Sequence, residues 1–94
     1  MERTLMFREA VRHRVPAVVH RDGTGRLHTV REELNPRFYR LIERFRHRTG
    51  VPLVLNTSYN VMGKPIVHSI EDALTVLYTT GLDRAVIDNC IISK

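Results

Sequence analysis

A helix with both ends marked, followed at once by an apolar run, constrains the fold of this 94-residue chain most. In the stretch NPRFYRLIERFRHRTG, Asn35 can cap the helix, Pro36 fits its first position and Gly50 suits the left-handed residue beyond its end. Apolar side chains recur on one face at helical spacing: Phe38, Leu41, Ile42 and Phe45. The sequence therefore predicts an amphipathic helix between Asn35 and Gly50.

The opposite face of this helix carries a row of arginines: Arg37, Arg40, Arg44 and Arg48. The chain has a formal net charge of +5, and nearly all of its basic residues are arginine. A positive potential attracts nucleic acid, nucleotides, phosphates and acidic proteins alike, so charge alone does not choose among them. The arginine row is either a solvated face or a docking surface for a partner or nucleic acid.

Two β-branched runs flank the sequence RDGTG. The runs are VPAVVH (15–20) and RLHTV (26–30), and Asp-Gly between such runs is typical of a β-hairpin. Symmetric pairing about the turn places Arg21 opposite Arg26 and Val19 opposite His28. Because side chains alternate along a strand, Arg26 and His28 then project side by side from one face.

The rest of the chain alternates between strands and a helix. Apolar patterning predicts a central strand buried on both faces in PLVLN (52–56), a short strand at 65–67, and one strand or two short ones in 84–93. A helix from about Ile70 to Thr80 is capped by Ser69 and closed by Gly81. The predicted fold class is α/β, a single domain with a small twisted mixed sheet and two helices.

A polar loop follows the predicted central strand, at the position where open α/β sheets collect ligands. Its hydrogen-bonding side chains are Asn56, Thr57, Ser58 and Asn60. They suit holding a phosphate, carboxylate or carbamoyl group, and the alternative is a turn satisfied by its own side chains. Because no activating base stands at a recognisable spacing from Ser58, we predict no catalytic residue in this chain.

Several protein classes do not fit this composition. No apolar run approaches the roughly 20 residues of a membrane span, and the N-terminus is too charged for a secretory signal. A single cysteine, Cys90, fits a reducing compartment, so a cytoplasmic protein is expected. No two of the five histidines stand four residues apart, so we expect no metal site.

Three segments resemble one known family in order and spacing. HRDGTGRLHTV, NPRFYRLIERFRHRTGVPLVLNTSYN and GKPIVHSIEDAL together are similar to the C-terminal, YrdC-like domain of O-carbamoyltransferases, which include nodulation proteins and antibiotic-tailoring enzymes. The resemblance covers residues 15–94. Residues 1–14 are basic but lack the family's upstream Lys/Arg-rich pattern. The resemblance implies the C-terminal half of a YrdC-like fold, ordered β-hairpin, α, β, β, α, β.

The resemblance also implies a chemistry. In the family, the YrdC-like part joins carbamoyl phosphate to ATP, giving a carbamoyl-adenylate and pyrophosphate, and a metal-bearing domain that this chain lacks transfers the carbamoyl group to an alcohol. By this likeness ATP and carbamoyl phosphate are the expected ligands, and the chain is expected to be inactive alone. The expected binding residues are Arg26, His28, Asn56, Thr57, Ser58 and Asn60.

Four positions depart from the family's usual residues. They are Gly25 for Ala, His28 for Gln, Tyr59 for Phe and Lys64 for Glu, and we expect Lys64 to point to water. A half-sheet exposes an edge strand, so we expect a homo-oligomer or a complementary upstream chain as partner. The alternative function is an RNA-binding, nucleic-acid-binding or non-catalytic interaction module that uses the arginine-rich helix face. With either function we expect no membrane partner.

Overall fold

The computed structural model describes residues 3–94 and divides the chain into two compact units, Met1–Leu55 and Asn56–Lys94. In the first unit the elements are β1 (Arg3–Met6), α1 (Glu9–Arg12), a 3₁₀ turn (Pro16–Val18), β2 (Thr24–Leu27) and α2 (Pro36–Thr49). In the second they are α3 (Ile70–Thr79), β3 (Arg84–Ile87) and β4 (Cys90–Ser93). The predicted α/β class is confirmed. Residues 3–94 form two separate two-stranded antiparallel sheets in place of one mixed sheet.

The predicted hairpin exists only at its turn. The His20 amide donates to the Thr24 carbonyl at 2.7 Å, the Gly23 amide donates to the His20 carbonyl at 2.9 Å, and Gly23 has a φ of 81°. This is a three-residue loop that needs a left-handed residue at its third position.

The hairpin arm predicted at 15–20 is wrong. Residues Pro16–Val18 form a 3₁₀ turn, because Pro16 fixes its φ and lacks an amide donor. β2 pairs instead with β1, which places Arg26 opposite Thr4 and Leu27 opposite Arg3. The predicted pairing of Arg21 with Arg26 is therefore wrong as well.

Helix α2 agrees with its prediction at both ends. The Asn35 side chain accepts a hydrogen bond from the Phe38 amide at 3.2 Å, and Pro36 occupies the first turn. Gly50 takes a left-handed φ of 74° and its amide donates to the Arg46 carbonyl at 2.7 Å. The side chains of α2 are exposed or half-buried, so this helix contributes no fully buried residue to a core.

The predicted strands 52–56 and 65–67 are wrong. Neither segment joins a ladder among residues 3–94, and Leu55 is 58 % exposed where burial on both faces was expected. A strand is stabilised by backbone hydrogen bonds to neighbouring strands, and the described ladders join only β1 to β2 and β3 to β4. Apolar patterning without a neighbour leaves irregular backbone.

The second unit holds the described core. Leu77 is fully buried, and the other buried apolar side chains are Ala73, Val76 and Ala85. They join α3 to β3. The Ser69 hydroxyl accepts a hydrogen bond from the Asp72 amide at 3.1 Å, which confirms the predicted cap.

The end of α3 differs from its prediction. The last helical residue is Thr79, and the residue after it, Thr80, is extended, so no left-handed Gly81 closes the helix. The Lys94 ammonium donates to the carbonyls of Leu77, at 3.0 Å, and Thr80. The segment after α3 forms two short strands that turn at Asp88, where φ is 50°. This was one of the two predicted alternatives.

None of the helices within residues 3–94 has the length and apolar character of a membrane span.

Candidate functional site

The loop Asn56–Asn60, which we call the polar loop, opens the second unit. The side chains of Asn56, Thr57 and Ser58 are exposed, and none of the three makes a hydrogen bond to another residue of the described part of the chain. Two hydroxyls and one amide therefore remain able to donate to and accept from a ligand. The alternative, in which these side chains satisfy their own turn, does not describe these three residues.

Tyr59 fixes the polar loop to the helix behind it. Its hydroxyl donates to the Ala73 carbonyl of α3 at 3.2 Å, and its ring is half-buried. The Tyr59 backbone has a φ of 47°, a left-handed conformation that costs free energy for an aromatic residue. Phe, the usual residue of the family at this position, has no hydroxyl and could not make this bond. The departure at position 59 therefore has a structural role here.

Asn60 is partly engaged by its own backbone. Its side-chain amide donates to the Lys64 carbonyl at 2.6 Å and closes a turn in which the Lys64 amide donates to the Val61 carbonyl at 3.0 Å. Gly63 has a φ of 81° in this turn. The side-chain oxygen and the second amide hydrogen of Asn60 are left for a ligand. Lys64 is exposed, as expected for a side chain that points to water.

Arg26 and His28 belong to the first unit. Arg26 lies in β2, is exposed, and makes no ion pair with any residue from 3 to 94. His28 is exposed and lies beyond the last residue of β2, Leu27, so the side-by-side arrangement on one strand face is wrong. That Arg26 and His28 share a ligand with the polar loop stays a prediction.

Beside Arg26 lies an open apolar depression of about 260 Å³, lined by Leu5, Met6, Phe7, Val11 and Leu27 among others. The Phe7 ring comes so close to Gly25 that a Cβ there would lie 2.3 Å from its Cε2 atom. Glycine at position 25, in place of the family's usual alanine, therefore leaves the space that the Phe7 ring occupies.

The hairpin turn holds a hydrogen-bonded chain that the sequence analysis missed. One carboxylate oxygen of Asp22 accepts from the Thr24 amide at 3.0 Å and from the Thr24 hydroxyl at 2.7 Å. These bonds, the hydroxyl bond first, lower the pKa of Asp22 below its usual value. The spacing of Asp two residues before Thr is a known turn signal and could have indicated the contact.

The same chain orients His20. The Nδ1 atom of His20 lies 3.1 Å from the Thr24 hydroxyl oxygen. Since the single hydroxyl hydrogen is given to Asp22, this contact requires a proton on Nδ1, and the neutral ring then presents Nε2 as an acceptor.

Comparison with known proteins identifies the family to which the chain belongs. The pattern of the family described as the carbamoyltransferase C-terminus matches residues 1–94, so the chain belongs to that family. Within residues 3–94, no group of three His, Cys, Asp or Glu side chains could hold a metal ion.

Particular relatives agree with this family. The chain is 47 % identical over 87 residues to nodulation protein NolNO of Sinorhizobium fredii, covering 93 % of this chain and 13 % of that protein. It is 40 % identical over 94 residues to nodulation protein NolO of Bradyrhizobium diazoefficiens, covering 100 % and 17 %. It is 34 % identical over 71 residues to the 3′-hydroxymethylcephem-O-carbamoyltransferase of Amycolatopsis lactamdurans, covering 76 % and 14 %. The chain thus spans less than a fifth of the length of these relatives.

Proposed function

We propose that this carbamoyltransferase C-terminal domain binds ATP and carbamoyl phosphate, and that the polar loop contacts their phosphate groups. The observation that carries the proposal is that Asn56, Thr57 and Ser58 are exposed and without a hydrogen-bond partner in the described chain, on a loop that Tyr59 fixes to α3. Family membership and the O-carbamoyltransferase named among the relatives support the same ligand class.

Each group in the polar loop has a role that fits a phosphate. The hydroxyls of Thr57 and Ser58 donate to phosphate oxygens, and the Asn56 amide can donate as well. We propose that Arg26, in the first unit, binds phosphate as well, because its exposed guanidinium can make a charge-assisted, two-pronged contact. The polar loop holds neither an activated nucleophile nor a base, so we propose that the chain binds these ligands without turning them over by itself.

A nuclear magnetic resonance titration tests this proposal. The ¹⁵N-labelled chain receives ATP or carbamoyl phosphate up to millimolar concentration, and backbone amides and the Arg26 side-chain Nε–H are followed. We expect shifts at residues 56–60 and at Arg26. The double variant Thr57→Val/Ser58→Ala should weaken binding by about 10-fold or more, since a hydrogen bond to a charged group contributes about 1.5–3 kcal/mol. The same samples should release no pyrophosphate.

The matched control is Ser93→Ala, which removes an exposed hydroxyl of β4 in the same unit. It should bind like the wild type. Shifts confined to the arginines of α2 would show general attraction of anions and would contradict the proposal, as would the absence of any shift at residues 56–60.

A further inference from the structure

Three exposed arginines of α2 lie along one side of the helix. Arg40, Arg44 and Arg48 are all exposed and follow one another at four-residue spacing. With 3.6 residues per turn and a 1.5 Å rise, each lies about 40° around the axis from the one before, and the row is about 12 Å long. Arg37 lies on the same face at the start of the helix. We call Arg40, Arg44 and Arg48 the arginine row.

No carboxylate neutralises this row. Within residues 3–94 none of its three members makes an ion pair, and the one contact of Arg40 is from Nε to the Pro36 carbonyl at 3.2 Å. The single acidic residue of α2, Glu43, pairs at 3.5 Å with Arg46, which lies about 200° around the helix from Arg44. Three adjacent cations therefore face solvent without a counter-charge from the described protein.

The charge of the whole chain is concentrated in the same unit. Residues 1–55 contain twelve Arg and no Lys against six Asp and Glu, whereas residues 56–94 contain three basic and four acidic residues. The first unit thus has a formal charge of +6 and the second of −1. A unit so charged attracts polyanions over a distance, and the arginine row is its most regular cluster.

The composition of the row indicates its partner. Protein interfaces have an apolar or aromatic centre that excludes water around buried anchors, whereas the arginine row consists of guanidinium groups only. Nucleic acid backbones require only repeated positive charges. The other sides of α2 carry the apolar stripe and the neutralised Glu43–Arg46 pair, so unpaired positive charge lies along one side only. This matches one phosphodiester strand and does not match the two phosphate walls of a duplex groove. We propose that the arginine row binds the phosphodiester backbone of single-stranded nucleic acid without reading its bases.

Fluorescence anisotropy of the full chain with labelled 12-nucleotide oligo-U and oligo-dT tests the proposal at several salt concentrations. Each neutralised phosphate on a single strand contributes about −0.7 to the slope of log K against log salt, so three contacts predict a slope of about −2. We expect oligo-U and oligo-dT to bind within about twofold of each other, because backbone contacts carry no sequence information. Millimolar ATP should not displace either oligonucleotide, which separates this site from the proposed nucleotide site.

The decisive comparison is between two sides of one helix. Arg40→Gln/Arg44→Gln should weaken binding by about 10-fold or more and reduce the salt slope by about 1.4. The matched control Arg46→Gln changes an exposed arginine of the same helix outside the row and should weaken binding less than about twofold, once circular dichroism shows equal helix content. The inference is overturned if Arg44→Gln and Arg46→Gln weaken binding equally, if duplex binds more tightly than single strand, or if polyglutamate of equal length binds as well as oligo-U.

Discussion

At Gly25 the chain tolerates no side chain, although its backbone needs no left-handed φ. A Cβ at this position would lie 2.3 Å from the Phe7 ring and 2.9 Å from the Val18 carbonyl oxygen. The carbonyl belongs to backbone and cannot rotate away, so the contact is a real limit on residue size. The first unit therefore depends on a matched pair, a ring at position 7 and a hydrogen at position 25.

We expect Gly25→Ala to lower the free energy of unfolding by about 1–3 kcal/mol, since overpacking forces rings off their preferred rotamers or shifts backbone. Urea unfolding measures the change. The control is Gly81→Ala, where nothing lies within 4 Å of a new Cβ and φ is not left-handed, and it should be neutral or slightly stabilising. Equal effects of the two variants would show that the approach of Phe7 does not limit this site.

Single residues also show what the sequence could predict of the site. The exposed hydroxyls of Thr57 and Ser58 follow from a polar run after an apolar one, and the structure leaves them unengaged. The hydrogen bond from the Asn60 side-chain amide to the Lys64 carbonyl could not be predicted, because it depends on how the turn at Gly63 closes. Local composition gave the candidate residues, and turn geometry decided which of their atoms stay available.

At the scale of elements, the two longer helices were predicted, whereas α1 and β1 were missed and the predicted strands 15–20, 52–56 and 65–67 do not form. Helices α2 and α3 have their signals inside the sequence of the helix itself, at Asn35, Gly50 and Ser69, and the caps form as expected. Strands depend on partners that are distant in sequence, so the apolar runs 15–20 and 52–56 gave no hint that they lack a ladder. The pairing of β2 with β1 was invisible for the same reason.

The C-terminal end of α3 offers a test at this scale. The Lys94 ammonium donates to the carbonyls of Leu77 and Thr80, where the helix dipole favours positive charge. Replacement by methionine keeps the stem and removes the donor, and we expect a cost of about 1 kcal/mol. Amide hydrogen exchange in the last turn of α3 should then quicken about fivefold, since 1 kcal/mol corresponds to about that factor.

Lys64→Met is the control for Lys94→Met, because Lys64 is exposed and its ammonium contacts no other residue in the described range 3–94. It should leave exchange in α3 unchanged. If Lys94→Met also left exchange unchanged, the ammonium would be a surface group without a capping role.

At the scale of the whole molecule, many more large apolar side chains are exposed than are buried in the described core. Among residues 3–94 four apolar side chains are buried, all in the second unit, while Val86 and Ile91 on β3 and β4 are 71 % and 70 % exposed. Each sheet has two strands only, and isolated two-stranded sheets are marginally stable in water. The segment 51–55 adds apolar residues whose backbone joins no ladder within residues 3–94. Unpaired edges of this kind recruit another strand.

We therefore propose that the segment 51–55 pairs with a second copy of the chain or with a complementary upstream chain. Size-exclusion chromatography with light scattering should give a mass above the 10.9 kDa of one chain that rises with concentration. Val54→Lys should restore the monomer, because a charge on an edge blocks strand addition. Val86→Lys, which adds the same charge at an exposed position of β3, should not. A clean wild-type monomer at high concentration would overturn self-association through 51–55. A monomer produced by Val86→Lys and not by Val54→Lys would show that the chain associates through the apolar surface of β3 and β4 instead.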